Sequence, residues 1–167
     1  MKIISLVLVI LTFLALPAWA GTFPQAEKSI KNIFPAFRGY KAESHILDNQ
    51  EIKVFTIFSD NDIIGWAVVL DEMGKIKPIT FLVGIDVQEK VLGVHVLEYR
   101  DLFGSEIKRR SFLRQFQGKS LKDPIALGRD IDAVTSATIS SYAAASAVKK
   151  SLAIIEKIRL RKNQPAR

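Results

Sequence analysis

The chain contains no cysteine and only two histidines among its 167 residues. Without a thiol it cannot form disulfides, thiolate metal sites, cysteine nucleophiles or cysteine-ligated iron–sulfur clusters. His45 and His95 lie in different predicted strands without the spacing of metal ligands, so ordinary strand histidines are the favoured interpretation. Ser140-Ser141 lacks the Gly-x-Ser-x-Gly elbow of a serine hydrolase. Any redox chemistry must therefore come from an added cofactor.

The first twenty residues differ in character from the rest of the chain. A short basic start, Met1-Lys2, precedes an uncharged apolar run over residues 3–16 and then Pro17-Ala18-Trp19-Ala20, which ends in a small-x-small pattern. This order predicts a secretory signal peptide over residues 1–20. The run is shorter than the roughly 20 residues of a membrane span, and Pro17 would interrupt a helix. We expect cleavage and a periplasmic or other extracytoplasmic location, with a membrane-anchored form as the alternative if the peptide is retained.

Positive charge exceeds negative charge. Lys and Arg number 24 against 17 Asp and Glu, which gives a net charge of +7 that removal of Lys2 lowers by one. A basic chain can indicate nucleic-acid binding, but only when its charges form a clustered face or arm. Here part of the excess lies between Lys108 and Arg114 and in the tail after Leu160. Together with an extracytoplasmic location, this favours a redox partner or a membrane surface, and we expect no nucleic-acid partner.

The composition is that of one ordinary globular domain, with 49% hydrophobic and 25% charged residues. We place the domain at residues 21–160 and a basic tail at 161–167. Segments rich in Val, Ile, Phe and Thr predict five strands, at residues 44–47, 52–58, 63–70, 76–83 and 91–99. The connections between them are short enough for hairpins, so we expect a mostly antiparallel sheet.

Three segments have helical periodicity. Apolar spacing predicts an N-terminal helix over residues 23–34 and a middle helix over 105–116, with Ser105 as its N-cap. After a loop at 119–132, an Ala-rich segment predicts a long helix over 137–160. The fold class is therefore α+β: a mostly antiparallel sheet packed with an N-terminal helix, a middle helix and a long C-terminal helix.

Small hydroxyl residues crowd the start of the last predicted helix. Four of them, Thr135, Ser136, Thr138 and Ser140, fall within six positions. Unpaired N–H groups and the positive end of the helix dipole make such a start a ready anion site. Capping explains the same residue types, because Ser and Thr are preferred before an apolar helix. Four hydroxyls exceed what one cap requires, but both interpretations stay open on composition alone.

Residues 132–138 resemble the flavinylation motif of a known family. The family is the FMN-binding domain of the flavin subunits in the Rnf and sodium-pumping NADH:quinone oxidoreductase complexes and of related secreted proteins. Its motif has the form Asp-x-x-(Ser/Thr)-Gly-Ala-Thr, and this chain reads Asp132-Ala133-Val134-Thr135-Ser136-Ala137-Thr138. Ser136 stands where Gly is usual.

The resemblance extends upstream from the motif. It includes Gly65-Trp66-Ala67, Val83-Gly84-Ile85-Asp86, Val91-Leu92-Gly93-Val94 and residues 112–119. The Glu-Thr-Pro-Gly turn that lies beside the flavin in the family is replaced here by Asp101-Leu102-Phe103-Gly104. This departure indicates a relative of the Rnf and quinone-reductase subunits rather than one of them.

The resemblance implies FMN as the cofactor, attached by a phosphoester to Thr138, the last residue of the motif. It implies further site residues around the phosphate and the flavin: Thr135, Ser136, Ala137, Ser140, Asp132, Gly104 and Tyr99. Asp132 would shape the turn before the helix. Trp66, Phe103 and Tyr142 are additional candidates to contact the flavin ring, although core packing is the default for Trp66. A flavin transferase, with FAD as the FMN donor, and a membrane or periplasmic redox partner are the implied partners.

These features favour an extracytoplasmic FMN-carrying electron-transfer protein, an electron carrier or redox subunit rather than a stand-alone enzyme. Two alternatives stay open. One is a non-redox sensory or adapter domain of the same fold that binds a membrane partner or a loosely held flavin. The other is an FMN-dependent reductase with a small-molecule substrate of its own.

Overall fold

The computed structural model describes residues 24–47 and 49–162. One helix precedes a five-stranded sheet, a short broken helical segment follows the sheet, and a long helix ends the described chain. The helices are α1 (Pro24–Ile33), α2 (Arg110–Leu113) and α3 (Thr138–Lys162). The strands are β1 (Gly39–Leu47), β2 (Gln50–Ser59), β3 (Asp62–Met73), β4 (Pro78–Asp86) and β5 (Val91–Tyr99). The predicted signal peptide lies outside the described residues.

The sheet is an antiparallel meander in the order β1-β2-β3-β4-β5. Every strand pairs with its neighbour in sequence, which confirms the α+β class and the hairpin connections. The predicted bounds of β5 are correct, but β1 begins at Gly39 rather than Ser44. β4 begins at Pro78 rather than Ile76, because the backbone N–H of Gly74 donates to the carbonyl of Lys77 and closes the turn between β3 and β4.

Both faces of the sheet are covered. On one face α3 and the broken helical segment at residues 105–116, which we call the middle segment, bury side chains such as Phe81 and Val83, and on the other α1 buries Leu82. The alanines at the start of α3 are also buried, which lets this helix pack closely on the sheet: Ala143, Ala144, Ala145 and Ala147. Burial on both faces explains why β4 reads as a continuous apolar run.

The prediction of one continuous middle helix over residues 105–116 is wrong. A 3-10 turn at Ser105–Lys108 is followed by an extended Arg109, then by α2 and by a second 3-10 turn at Arg114–Phe116. Ile107 and Phe112 are both buried, yet five residues of continuous α-helix would point them about 140° apart. The extended Arg109 resets the phase, so that both enter the core.

Two predicted helix ends also need correction. Ser105 is the first residue of the 3-10 turn rather than its N-cap, because Gly104 occupies that position without a side-chain cap. α3 continues to Lys162, so the first two residues of the predicted tail are helical and the other five lie outside the described residues. In the parts of the chain that the structure describes, no helix combines the length and the apolar character of a membrane span.

Candidate functional site

A cavity of about 320 Å³ lies at the N-terminal end of α3. Three separate segments enclose it: Lys75 from the β3–β4 turn, Phe103 and Gly104 from the loop after β5, and residues 136–140 at the start of α3. Neither Asp nor Glu is among the lining residues in the described part of the chain. The cavity is therefore suited to an anionic group.

The backbone before α3 makes a tight turn. The N–H of Ala137 donates to the carbonyl of Val134 at 3.0 Å, and Ser136 between them has a left-handed φ of 65°. The first helical backbone bond runs from the N–H of Ser141 to the carbonyl of Ala137. The N–H groups of the first turn precede that bond and have no helical acceptor. The turn thus presents free backbone donors to the cavity.

Capping does not use the hydroxyls of the motif. Ala137 directly precedes α3 and has no side chain that could cap it. Ser141, inside the helix, accepts from the N–H of Val134 at 3.2 Å and donates to the carbonyl of Ala137 at 3.0 Å. Among the described residues, no hydrogen bond joins the side chains of Thr135, Ser136 or Thr138 to another protein group. This leaves their hydroxyls available and favours the anion-binding interpretation.

Tyr99 fastens the loop after β5 to α3. Its hydroxyl donates to the carbonyl of Phe103 and lies 3.0 Å from Ser140 Oγ. Since a tyrosine has a single proton to donate, Ser140 is the donor in the second bond. Burial raises the pKa of Tyr99, so its hydroxyl keeps this proton at neutral pH. The loop and the helix start are held together by these two bonds.

Gly104 leaves room for the contact between Tyr99 and Ser140. Its φ of 91° is left-handed, and a Cβ there would lie 2.4 Å from Ser140 Oγ and 3.0 Å from Tyr99 Oη. A side chain would therefore carry a backbone penalty and would also break the contact between Tyr99 and Ser140. Among the residues of the predicted Glu-Thr-Pro-Gly equivalent, Gly104 has a clear steric reason for its identity.

Asp101 joins the β3–β4 turn to the loop after β5. Its buried carboxylate accepts from the N–H of Ile76 at 3.0 Å and from that of Leu102 at 2.7 Å. These bonds, led by the one from Ile76, lower the pKa of Asp101. The turn held in this way brings Lys75 to the cavity, where its Nζ lies 5.3 Å from the centre of the Phe103 ring. Lys75 supplies a positive charge within reach of a bound anion.

Asp130 organises the loop that leads into the motif. It accepts from the N–H groups of Ile125 and Ala126 at 3.1 and 2.9 Å and pairs with Lys119 at 2.8 Å. Burial alone would raise the pKa of this carboxyl, but the bond from Lys119 and the two N–H donors outweigh it and lower the pKa to about 2. The carboxylate thus fixes a loop in which Ile125 has a left-handed φ of 44°.

Asp130→Asn is expected to reduce the free energy of unfolding at pH 7 by about 2 kcal/mol, because it removes a charge that the folded state stabilises. The folded pKa of Asp130, about 2, is below the ordinary value of 3.8 for an aspartate side chain. Its contribution is therefore complete above about pH 4 and is lost as the pH falls towards 2. Urea unfolding at several pH values measures this, with Asp60→Asn in an exposed turn as the control. An unchanged acid dependence in Asp130→Asn would contradict the assignment.

Ser136→Gly is expected to stabilise the protein by roughly 0.5 to 1 kcal/mol. A left-handed residue with a side chain costs about 1 to 2 kcal/mol, and the greater freedom of glycine in the unfolded chain offsets part of the gain. Ser136→Ala keeps the backbone penalty and serves as the control, with no gain expected. Urea unfolding compares the three proteins, and equal stability of the Gly and Ala variants would show that the φ penalty is no larger than the entropic cost of glycine.

The structure brings together five of the predicted site residues as cavity lining: Gly104, Ser136, Ala137, Thr138 and Ser140. Tyr99 adjoins them through Ser140. Thr135 and Asp132 do not line the cavity, and the backbone of Asp132 pairs instead with the side-chain amide of Gln115.

Of the other aromatic candidates, one lines the cavity and two do not. Phe103 lines the cavity, whereas Trp66 is 7% exposed in the core and Tyr142 is an exposed residue outside the lining. Sequence reasoning missed Lys75, which is far from the motif along the chain. Its only signal was its position in a hairpin turn, which does not indicate binding.

The chemistry of the cavity fits the phosphate end of FMN. First-turn N–H groups, an unpaired Thr138 hydroxyl and the Lys75 ammonium are the donors that a phosphate takes in proteins. The Phe103 ring adds an aromatic surface. The lining side chains would accept this cofactor as they stand, because no buried charged side chain would have to be displaced.

Comparison with known proteins agrees with this geometry. Residues 74–153 match the family model of the FMN-binding domain. The matched segment contains every residue that lines the cavity. It begins after Gly65-Trp66-Ala67, so the resemblance upstream of residue 74 stays a prediction. A search of curated proteins gave no match. Residues 74–153, which include the cavity at the start of α3, are therefore identified as an FMN-binding domain.

Proposed function

We propose that this FMN-binding protein is an extracytoplasmic electron carrier that holds its cofactor by a phosphoester at Thr138. The observation that carries the proposal is the position of Thr138. It is the first residue of α3, it is exposed, and it lines the cavity beside the free N–H groups of the first turn. A hydroxyl at that place can bond to a phosphorus atom that the same backbone donors hold.

The surrounding residues would bind the phosphate and leave the flavin ring at the mouth of the cavity. The N–H groups of the first turn would donate to the phosphate oxygens, and Lys75 would balance their charge. Ser136 and Ser140 would add hydroxyl donors, and Ala137 would leave the backbone open to a close approach. Phe103 and Tyr99 would offer aromatic surface to the ring. Thr135 and Asp132 do not line the cavity, so we assign them no direct contact with the phosphate.

Attachment requires a second protein in this proposal. A flavin transferase would use FAD as the FMN donor: Thr138 Oγ1 forms a bond to the FMN phosphorus, the bond to AMP breaks, and the Thr138 proton leaves. Exposure of Thr138 supports access by such an enzyme. Thr138 would therefore be a modified residue rather than a nucleophile in repeated turnover.

Electron transfer is the activity that best suits the chain. FMN supplies one- and two-electron chemistry that no side chain can provide. The cysteine-free chain would bind, orient and partly shield the cofactor and exchange electrons with a membrane or periplasmic redox partner. The apolar run that predicts a signal peptide supports the extracytoplasmic location. Covalent attachment would prevent loss of the cofactor where free FMN is dilute.

Mass spectrometry of the chain co-expressed with a flavin transferase tests the proposal. We expect an added mass of FMN less one water, located on the peptide that contains Thr138, and a fluorescent band on a denaturing gel. Protein expressed without the transferase is the control and should have the unmodified mass. An unmodified mass in both samples would overturn covalent attachment and favour the adapter alternative. N-terminal sequencing of the exported protein tests cleavage after Ala20.

A further inference from the structure

A second and larger concavity, of about 650 Å³, lies along the outer edge of β5. We define it as the β5 groove. The C-terminal end of α1 forms one wall, the middle segment forms the other, and residues 92–96 of β5 form the floor. It has no lining residue in common with the cavity at the start of α3.

The floor of the β5 groove is an open sheet edge. β5 is the last strand of the sheet and pairs only with β4 among the described strands. Its first residues are already covered, since Val91 bonds to the backbone of Gly118 and Lys119 and the carbonyl of Leu92 accepts from Gln117 Nε2 at 3.1 Å. From Gly93 to Leu97 no strand lies beside it within the described chain. Such an edge offers unpaired backbone groups to an added strand.

The charge of the β5 groove is positive. Lys108, Arg110 and Arg114 line it, all three are exposed, and no Asp or Glu is among the lining residues of the described chain. His95 adds no charge at neutral pH, because burial lowers its pKa. Three cations around one concavity favour an acidic occupant and disfavour the equally basic edge of a second copy of this chain.

The β5 groove is also connected to the cavity at the start of α3 by side-chain contacts. Lys108 Nζ lies 5.3 Å from the centre of the Tyr99 ring, and the hydroxyl of Tyr99 contacts Ser140 in the wall of the cavity. A partner seated in the groove would therefore be separated from the cavity wall by the side chains of Lys108 and Tyr99.

We propose that the β5 groove docks an acidic, extended segment of a redox partner protein, which adds as a strand to β5. The redox role of the partner rests on the proposed function, whereas the docking does not. The five open residues span about 17 Å, so the segment needs at least five residues. The open edge of β5 favours an inserted protein segment over a lipid surface, because a peptide backbone can pair with its N–H and C=O groups as an added strand.

A labelled peptide of alternating Glu and Val, seven residues long with blocked ends, tests the docking by fluorescence anisotropy at low salt. We expect saturable binding that weakens as salt is added. Arg110→Gln/Arg114→Gln should weaken binding about tenfold. The matched control, Lys149→Gln/Lys157→Gln, removes two exposed charges from α3 and should change it less than about twofold. A peptide with alternate N-methylated amides keeps the charge, loses backbone pairing and should also bind about tenfold more weakly.

Three results would overturn the proposal: no binding, equal binding of the N-methylated peptide, or equal loss in both double variants. Anionic phosphatidylglycerol vesicles form the last arm. Vesicle binding that is lost in Arg110→Gln/Arg114→Gln, without peptide binding, would assign the groove to a membrane surface and overturn it as well. Unmodified and FMN-carrying protein are both assayed. Failure of the peptide arm in protein that carries FMN at Thr138 would refute the docking alone.

Discussion

Thr138→Ala is expected to carry no covalent FMN when it is co-expressed with a flavin transferase, whereas Thr138→Ser should retain it. Only the second variant keeps a hydroxyl at the first position of α3, in the wall of the cavity. Alanine is the best helix former, so its introduction at an exposed helical position should not impair folding. Intact mass and in-gel flavin fluorescence measure the result.

The control for Thr138→Ala is Ser111→Ala, which removes an exposed hydroxyl from α2, outside the cavity lining. It should be modified to the same extent as the original chain. FMN mass retained on Thr138→Ala would show that another residue is the acceptor. Peptide mapping of that sample would then separate attachment at Thr135 from attachment at Ser136 or Ser140.

Gly104→Ala is expected to lower the initial rate of FMN attachment by at least about tenfold and the free energy of unfolding by about 2 kcal/mol. About 1 kcal/mol arises from the left-handed φ and about 1 from loss of the bond between Tyr99 and Ser140. The added Cβ would lie 2.4 Å from Ser140 Oγ, so either the Ser140 hydroxyl rotates away or the loop moves from α3, and both changes break the bond to Tyr99 and alter the cavity wall. Urea unfolding and a time course of attachment measure the two effects.

Gly128→Ala is a matched control for this prediction. Gly128 also has a left-handed φ, of 75°, but nothing lies within 4 Å of a Cβ built there. Its variant should lose only about 1 kcal/mol and should accept FMN at the original rate. Equal attachment rates in the two variants would show that the contact of Gly104 with α3 does not shape the site.

The sheet could be predicted from sequence because its signals are local. Runs of β-branched and aromatic residues mark the strands, and short connections dictate hairpins between sequential neighbours. The start of β4 was harder, since Ile76 is apolar but belongs to a turn that Asp101 holds from a distant loop. The prediction of one continuous helix for the middle segment was wrong for a related reason. Helical spacing describes one periodic face, and it cannot show that Arg109 interrupts the helix to turn both Ile107 and Phe112 inward.

The candidate site likewise contains residues that could be predicted from the sequence and one that could not. The motif residues from Ser136 to Ser140 are adjacent in sequence, so their joint presence in the cavity lining could be expected. Lys75 could not, because only the pairing of β3 with β4 and the Asp101 contact bring it there. The structure also gives a reason why glycine suits the position of Ser136. The position that is Gly in the family has a left-handed φ of 65° here, which Ser136 adopts at a cost.

Because three separate segments form the wall of the cavity at the start of α3, the cavity depends on the tertiary fold. The sheet can form from consecutive hairpins, but Lys75, Gly104 and Thr138 meet only after the C-terminal helix has docked on the sheet. The complete cavity therefore requires the docked helix. With attachment at Thr138 as proposed, a transferase that needs this site would modify finished molecules and leave incompletely folded ones colourless. Bound flavin would then distinguish fully folded molecules from incompletely folded ones.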